Sequence, residues 1–123
     1  MKKLISILVV GVFLFGFAGC EPEVEDPRLA EIAQCLTDSG AKMYGAVWCS
    51  HCNAQKKRFG KAWERINYIE CDARTDKEGA IKCLEAEIEG FPTWEFADGE
   101  RLAGNQNPDV LAEKAGCELG INN

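Results

Sequence analysis

Ala41-Lys42-Met43-Tyr44-Gly45-Ala46-Val47-Trp48-Cys49-Ser50-His51-Cys52 is the stretch from which the rest of the chain can be read. Residues 41–47 form a short apolar run with one glycine inside, the pattern of a strand buried in the middle of a sheet. The run leads straight into two cysteines separated by two residues. From about Ser50 to Arg65 the period becomes helical, with Cys52, Phe59, Trp63 and Ile66 on one side and Lys56, Lys57, Arg58, Lys61 and Arg65 mostly facing water. A strand that ends in such a pair and opens a helix sets the first sulfur at the helix N-terminus. Unpaired N–H groups and the helix dipole favour negative charge there, so Cys49 is expected to ionise below the free-thiol value of about 8.5. As a thiolate it would attack a disulfide, and Cys52, one turn deeper, would resolve the mixed disulfide. His51 is the single histidine of the chain and, when protonated, would favour the Cys49 thiolate further. Zinc needs four ligands and no second Cys-x-x-Cys exists, so no metal is expected, and no cofactor beyond the Cys49–Cys52 disulfide.

Outward from this stretch, the other elements announce themselves by their boundary residues. Asp26-Pro27 is an N-cap with proline at the first helical position, followed by Leu29, Ile32, Ala33 and Leu36 at helical spacing until Gly40. Ile66 to Cys71 alternates as a strand does. Thr75-Asp76-Lys77-Glu78 has the form of a capping box, opening a helix with Ile81, Leu84 and Ile88 as its apolar face and Gly90 as its stop. Phe91 to Phe96 reads as a strand entered through Pro92, Ala97-Asp98-Gly99-Glu100 as a hairpin turn, Arg101 to Ala103 as an edge strand, and Asn107-Pro108 as the cap of a last helix ending near Gly116. The order helix, strand, helix, strand, helix, strand, strand, helix implies an α/β fold with a mixed, four-stranded sheet flanked by helices.

The N-terminal residues have another character. Met1-Lys2-Lys3 is basic, Leu4 to Phe17 is apolar, and Ala18-Gly19-Cys20 is a small-residue cleavage site, so residues 1–19 read as a signal peptide, too short to cross a bilayer permanently as a helix. Phe17-Ala18-Gly19-Cys20 resembles the bacterial lipobox, which implies lipidation of Cys20, although Phe17 stands where that motif usually carries leucine. Residues 20–26 then form an acidic tether of about 20 Å when extended, and residues 27–123 the domain. The expected location is exported and lipid-anchored, on the periplasmic or extracellular side of the membrane. The net charge of −6, more acidic still once Lys2 and Lys3 are removed, argues against nucleic acid.

The pair Trp48-Cys49-Ser50-His51-Cys52 after a strand and Phe91-Pro92-Thr93 before another, about forty residues on, resembles the thioredoxin superfamily. The resemblance implies the thioredoxin fold, a cis Pro92 packed beside the cysteines, and a substrate groove formed by Trp48, Ser50, Phe91, Pro92 and Thr93. Lys42 to Cys49, Ile66 to Cys71 and Gly90 to Glu95 are more closely similar to the thioredoxin-like domain fused to bacterial homologues of vitamin K epoxide reductase. That likeness implies disulfide exchange with exported proteins and a separate membrane redox partner of the vitamin K epoxide reductase type. Two departures bear on direction. Met43 stands where thioredoxin has a buried Asp, and Ser50-His51 is nearer the dipeptides of exported oxidases and isomerases than the Gly-Pro of thioredoxin.

Of seven cysteines, Cys35, Cys71, Cys83 and Cys117 remain, with three possible pairings. Cys71–Cys83 and Cys35–Cys117 are favoured, the resemblance supporting the first more than the second. Three functions compete: an envelope oxidase or isomerase, which is favoured; an envelope reductase, such as one serving cytochrome c maturation; and a non-catalytic lipoprotein that binds a metal or a partner. Copper binders of this fold tend to add a methionine or a second histidine near the pair, and here Met43 lies back on the strand.

Overall fold

The computed structural model describes residue 16 and residues 19–120. The segment expected to be a leader, Gly16 and Gly19 excepted, therefore lies outside the described residues, as do Phe17 and Ala18 of the stretch that resembles a lipobox. Helix α1 spans Pro27–Asp38, with the Asp26 carboxylate accepting the N–H groups of Arg28 and Leu29 and with Ile32, Ala33 and Leu36 buried. Strand β1 is Lys42–Gly45, helix α2 Ser50–Phe59, strand β2 Tyr68–Glu70, helix α3 Lys77–Glu85, strand β3 Thr93–Glu95, strand β4 Arg101–Ala103 and helix α4 Pro108–Lys114.

The sheet order is β2-β1-β3-β4, with β1 and β2 parallel and the other pairs antiparallel. Helices flank this mixed sheet, and the fold is thioredoxin-like. Register decides what faces α2. Met43 pairs with Tyr68 and Trp94, and Gly45 pairs with Glu70, so these five side-chain positions share one face. Trp94 on that face is fully buried, and its indole N–H donates to Gln55 Oε1 of α2 at 3.1 Å. Gln55 also accepts from the Gln106 N–H at 2.7 Å and donates to the Gln106 carbonyl at 2.9 Å. A buried amide with its groups paired in this way ties α2 to β3 and to the loop before α4 at no desolvation deficit.

Three expectations need correction. The helix read as continuous to Arg65 stops at Phe59, because Gly60 takes a positive φ of 55° and the chain continues as a 3-10 segment, Gly60–Arg65. Helix α3 is capped by Asp76, whose carboxylate accepts the Gly79 N–H, rather than by Thr75, and it ends at Glu85 rather than near Gly90. The face of α3 turned inward is Gly79, Ala80 and Cys83, while Ile81 and Leu84 are 55% and 78% exposed. The physical reason is close approach: a Cβ on Gly79 would collide with the Glu70 carbonyl oxygen, so small residues, not aliphatic ones, let α3 sit against β2.

The acidic segment before α1 is pinned at its end. Glu25 accepts from Arg65 at 2.7 and 3.1 Å, and the Glu23 carboxylate lies beside Gly60. Two disulfides close the structure, Cys71–Cys83 between the end of β2 and α3, and Cys35–Cys117 between α1 and the segment after α4.

The chain-entropy relation separates the two bridges. Cys35–Cys117 spans 82 residues and Cys71–Cys83 spans 12. Replacing the first pair by serine is expected to cost about 4.5 kcal/mol and the second about 2.8 kcal/mol. Urea unfolding of the two double variants measures both, and an inverted order would contradict the loop-closure account.

Candidate active site

The site forms where β1 ends and α2 begins. Cys49 is the N-cap of α2, in extended conformation, and its sulfur accepts the Cys52 N–H at 3.4 Å. A sulfur at a helix N-cap sits where unpaired N–H groups and the dipole stabilise an anion. The turn before it is held at both ends. Cys49 N–H donates to the Ala46 carbonyl at 3.0 Å, Asn53 Nδ2 donates to the Val47 carbonyl at 3.2 Å, and the Val47 N–H donates to Glu70 Oε1 at 3.2 Å.

The two sulfurs differ in access. Cys49 is 8% exposed at the mouth, whereas Cys52 is fully enclosed. Both are unbonded thiols here. Burial, reinforced by its hydrogen bond with Cys49, pushes the Cys52 thiol up to about 12, against smaller lowering contributions from the Ala46 backbone and Lys56. Cys52 therefore carries its proton at neutral pH.

The Phe91–Pro92 peptide bond is cis and faces the cysteines, the Cys49 thiol donating to the Phe91 carbonyl at 3.7 Å. Pro92 and Thr93 are buried; the Thr93 hydroxyl donates to the Gly90 carbonyl at 2.7 Å, and the Pro92 carbonyl accepts the Gly104 N–H at 2.8 Å. What this loop offers at the surface is backbone and the Phe91 ring. That ring meets Trp48 edge-on, with centroids 5.9 Å apart, and Trp48 is 62% exposed. Ser50 and His51 are exposed on the first turn of α2. Trp48, Cys49, Cys52, Phe91, Pro92 and Thr93 thus converge, with Ser50 and His51 on the open side. Cys20 is exposed at the start of the acidic segment that precedes α1.

Three further residues at the site carry no motif along the chain. Gly45 has no room for a side chain: a Cβ would lie 2.9 Å from Cys52 Sγ, 3.0 Å from Tyr68 Cε2 and 3.2 Å from Met43 Cε. Glu70 is a buried carboxylate that accepts from Tyr68 Oη at 2.7 Å, from the Asp72 N–H at 2.9 Å and from Val47. Lys56 Nζ lies 4.3 Å from the centre of the Tyr68 ring. The available signal was an acid in an alternating strand, since Tyr68 and Glu70 fall on the same face at period two.

A scan against protein-family models finds no match. The chain is homologous to thiol-disulfide oxidoreductase LTO1 of Arabidopsis thaliana, with 45% identity over 97 residues that take in 76% of this chain and 26% of that protein. The chain thus spans about a quarter of the length of the curated relative it matches.

Two outcomes follow from this geometry. Gly45→Ala should destabilise the fold by about 1–3 kcal/mol through overpacking against Cys52 and Tyr68, read as a shift in the denaturation midpoint. Iodoacetamide at neutral pH should alkylate Cys49 well before Cys52, as peptide mass spectrometry of the reduced protein would show, because Cys52 is both enclosed and protonated; equal labelling would contradict that difference.

Proposed function

We propose that this chain is a thiol–disulfide oxidoreductase of the cell envelope that donates or reshuffles disulfides in exported proteins. The observation that carries the reading is the placement of the Cys49 sulfur: at the N-cap of α2, 3.7 Å from the carbonyl before cis-Pro92, with Cys52 enclosed behind it. Homology to a protein named thiol-disulfide oxidoreductase supports it.

In this reading a substrate thiolate attacks Cys49 Sγ of the oxidised pair, the Cys49–Cys52 bond breaks, and Cys52 leaves and takes a proton. A second substrate thiolate attacks the substrate sulfur of the mixed disulfide, which forms the substrate disulfide and releases Cys49 as thiolate. Stabilising that thiolate by the helix N-terminus makes the oxidised pair a stronger oxidant. His51, exposed beside Cys49, adds to this when protonated. An extended substrate segment lies against the backbone at Phe91 and over the paired Trp48 and Phe91 rings.

The envelope location rests on the leader-like residues 1–19 and on Cys20 in its lipobox-like setting, and the anchor is a lipid on Cys20. Reoxidation falls to a membrane partner of the vitamin K epoxide reductase type, which the resemblance of residues 42–49, 66–71 and 90–95 to domains fused to such enzymes supports.

Equilibrating the protein in glutathione buffers and counting free thiols tests the direction. A potential nearer ~ −120 mV than ~ −270 mV is expected; a value near the latter would reverse the reading to a reductase. Cys49→Ser should reduce oxidation of a reduced peptide to the uncatalysed rate, and wild-type turnover in that variant would remove the assignment altogether.

A further inference from the structure

Pro92 is held from two directions, and both holds end on one side chain. Along β3 the chain runs two residues from Pro92 to Trp94, whose indole N–H donates to Gln55 Oε1 at 3.1 Å. Across the sheet the Pro92 carbonyl accepts the Gly104 N–H at 2.8 Å. Two residues further on, the Gln106 N–H donates to the same Gln55 Oε1 at 2.7 Å, and the Gln106 carbonyl accepts from Gln55 Nε2 at 2.9 Å. Gln55 thus meets residue 106 through both backbone groups, as a paired strand would, although it reaches it from a helix.

Neither of the other two amides in this loop duplicates the tie. The Gln106 side chain turns back to donate to the Ala103 carbonyl at 2.7 Å, and the buried Asn105 Oδ1 has no hydrogen-bond partner among the described residues. Gln55 is itself fully buried, so bulk water does not stand in for it. It follows Cys52 by one turn of α2 and lies on the same side of that helix. The amide therefore spans from the helix that carries both cysteines to the loop that carries Phe91 and Pro92. With Oε1 filled by two donors and Nε2 committed to a carbonyl, its orientation is fixed. An apolar side chain of similar volume would fill the space but leave two N–H groups and one carbonyl unpaired.

We propose that Gln55 is a positioning residue that sets the separation between α2 and the Phe91–Pro92 loop, and thereby makes the site select thiols carried on an extended peptide over small free thiols. This rests on the exchange reading given above. Being enclosed, Gln55 does not touch substrate; it acts through the two elements it joins. A peptide engages both of them at once, its backbone against Phe91 and its sulfur at Cys49 Sγ. The gap it bridges is marked by the 3.7 Å between Cys49 Sγ and the Phe91 carbonyl oxygen. If the loop moves away from the helix, a peptide aligned on the loop no longer delivers its sulfur in line with the Cys49–Cys52 bond. A small thiol meets Cys49 alone and has no alignment to lose.

The test compares two dithiols that differ in reach. Full-length protein carrying Cys20→Ser, which removes the exposed thiol, is oxidised at Cys49 and Cys52. It is then mixed with an excess of either a reduced extended peptide bearing two cysteines or dithiothreitol, and loss of the disulfide is followed by acid quench and thiol counting. The quantity read is the ratio of the two second-order rate constants, peptide over dithiothreitol. Gln55→Met should lower that ratio about tenfold. Gln55→Glu adds a pH signature: at about pH 5 the neutral acid accepts the two N–H groups and donates to the Gln106 carbonyl, whereas at about pH 9 the carboxylate has no proton to donate. Its ratio should match the wild type in acid and fall to that of Gln55→Met in base. A ratio unchanged in Gln55→Met overturns the proposal. So does a Gln55→Glu ratio that follows the wild type at both pH values, which decides the matter if Gln55→Met fails to fold. Both rate constants falling alike, with a lowered melting temperature, overturns it in favour of a purely structural role. A wild type that reacts with the peptide no faster than with dithiothreitol would instead overturn the exchange reading beneath it.

Discussion

Strand β1 can pass directly beneath the first turn of α2 only where it has no side chain. Gly45 is that place, and the rest of the site is arranged around it. With the backbone this close, the Cys52 sulfur drops into the sheet and the Tyr68 ring edge reaches it from the next strand. A methyl group there would force apart the helix start and both strands. The polypeptide has no spare volume to absorb the insertion, because interiors pack at crystal-like density. The helix start is also the cap geometry that exposes Cys49, so one missing side chain links the access of one sulfur to the burial of the other.

The site then works by contrast between two chemically identical groups. One sulfur sits at a helix end, where it accepts the Cys52 N–H, and the other is fully enclosed where charge is disfavoured. The polar residues behind the pocket complete that contrast. Glu70 is held by two backbone N–H groups, one of them in the turn that carries Cys49, so the carboxylate braces the mouth of the site. The neighbouring Cys71–Cys83 bridge and the tight seat of α3 on Gly79 hold the end of β2 in place.

Elements whose limits are written in local chemistry were legible from the sequence. Asp26-Pro27 and Asn107-Pro108 open α1 and α4 at the residues expected, and Gly99, at φ 83°, turns the hairpin that joins β3 to β4. The break at Gly60 and the inward face of α3 were not. Ile81 and Leu84 have helical spacing, yet the inward face of α3 is set by how near β2 lies, and proximity selects Gly79, Ala80 and Cys83. In the site, the Cys-x-x-Cys pair and the proline loop are sequence motifs, read directly. The Lys56, Tyr68 and Glu70 cluster joins a helix to a strand through register, and no spacing along the chain encodes where those side chains meet.

The pin between Glu25 and Arg65 gives the molecule a polarity. Glu23 and Glu25 dock beside Gly60 and the 3-10 segment, at the C-terminal end of α2, whereas Cys49 caps its N-terminal end. Ten helical residues, about 15 Å, lie between them. The chain therefore enters the domain on the side remote from its reactive mouth, as a handle lies opposite a blade. Held by its N-terminus on any surface, the domain would stand with Cys49 directed outward, toward whatever diffuses past. To present that sulfur to a neighbour in the same surface it would have to release the Arg65 clasp and roll over.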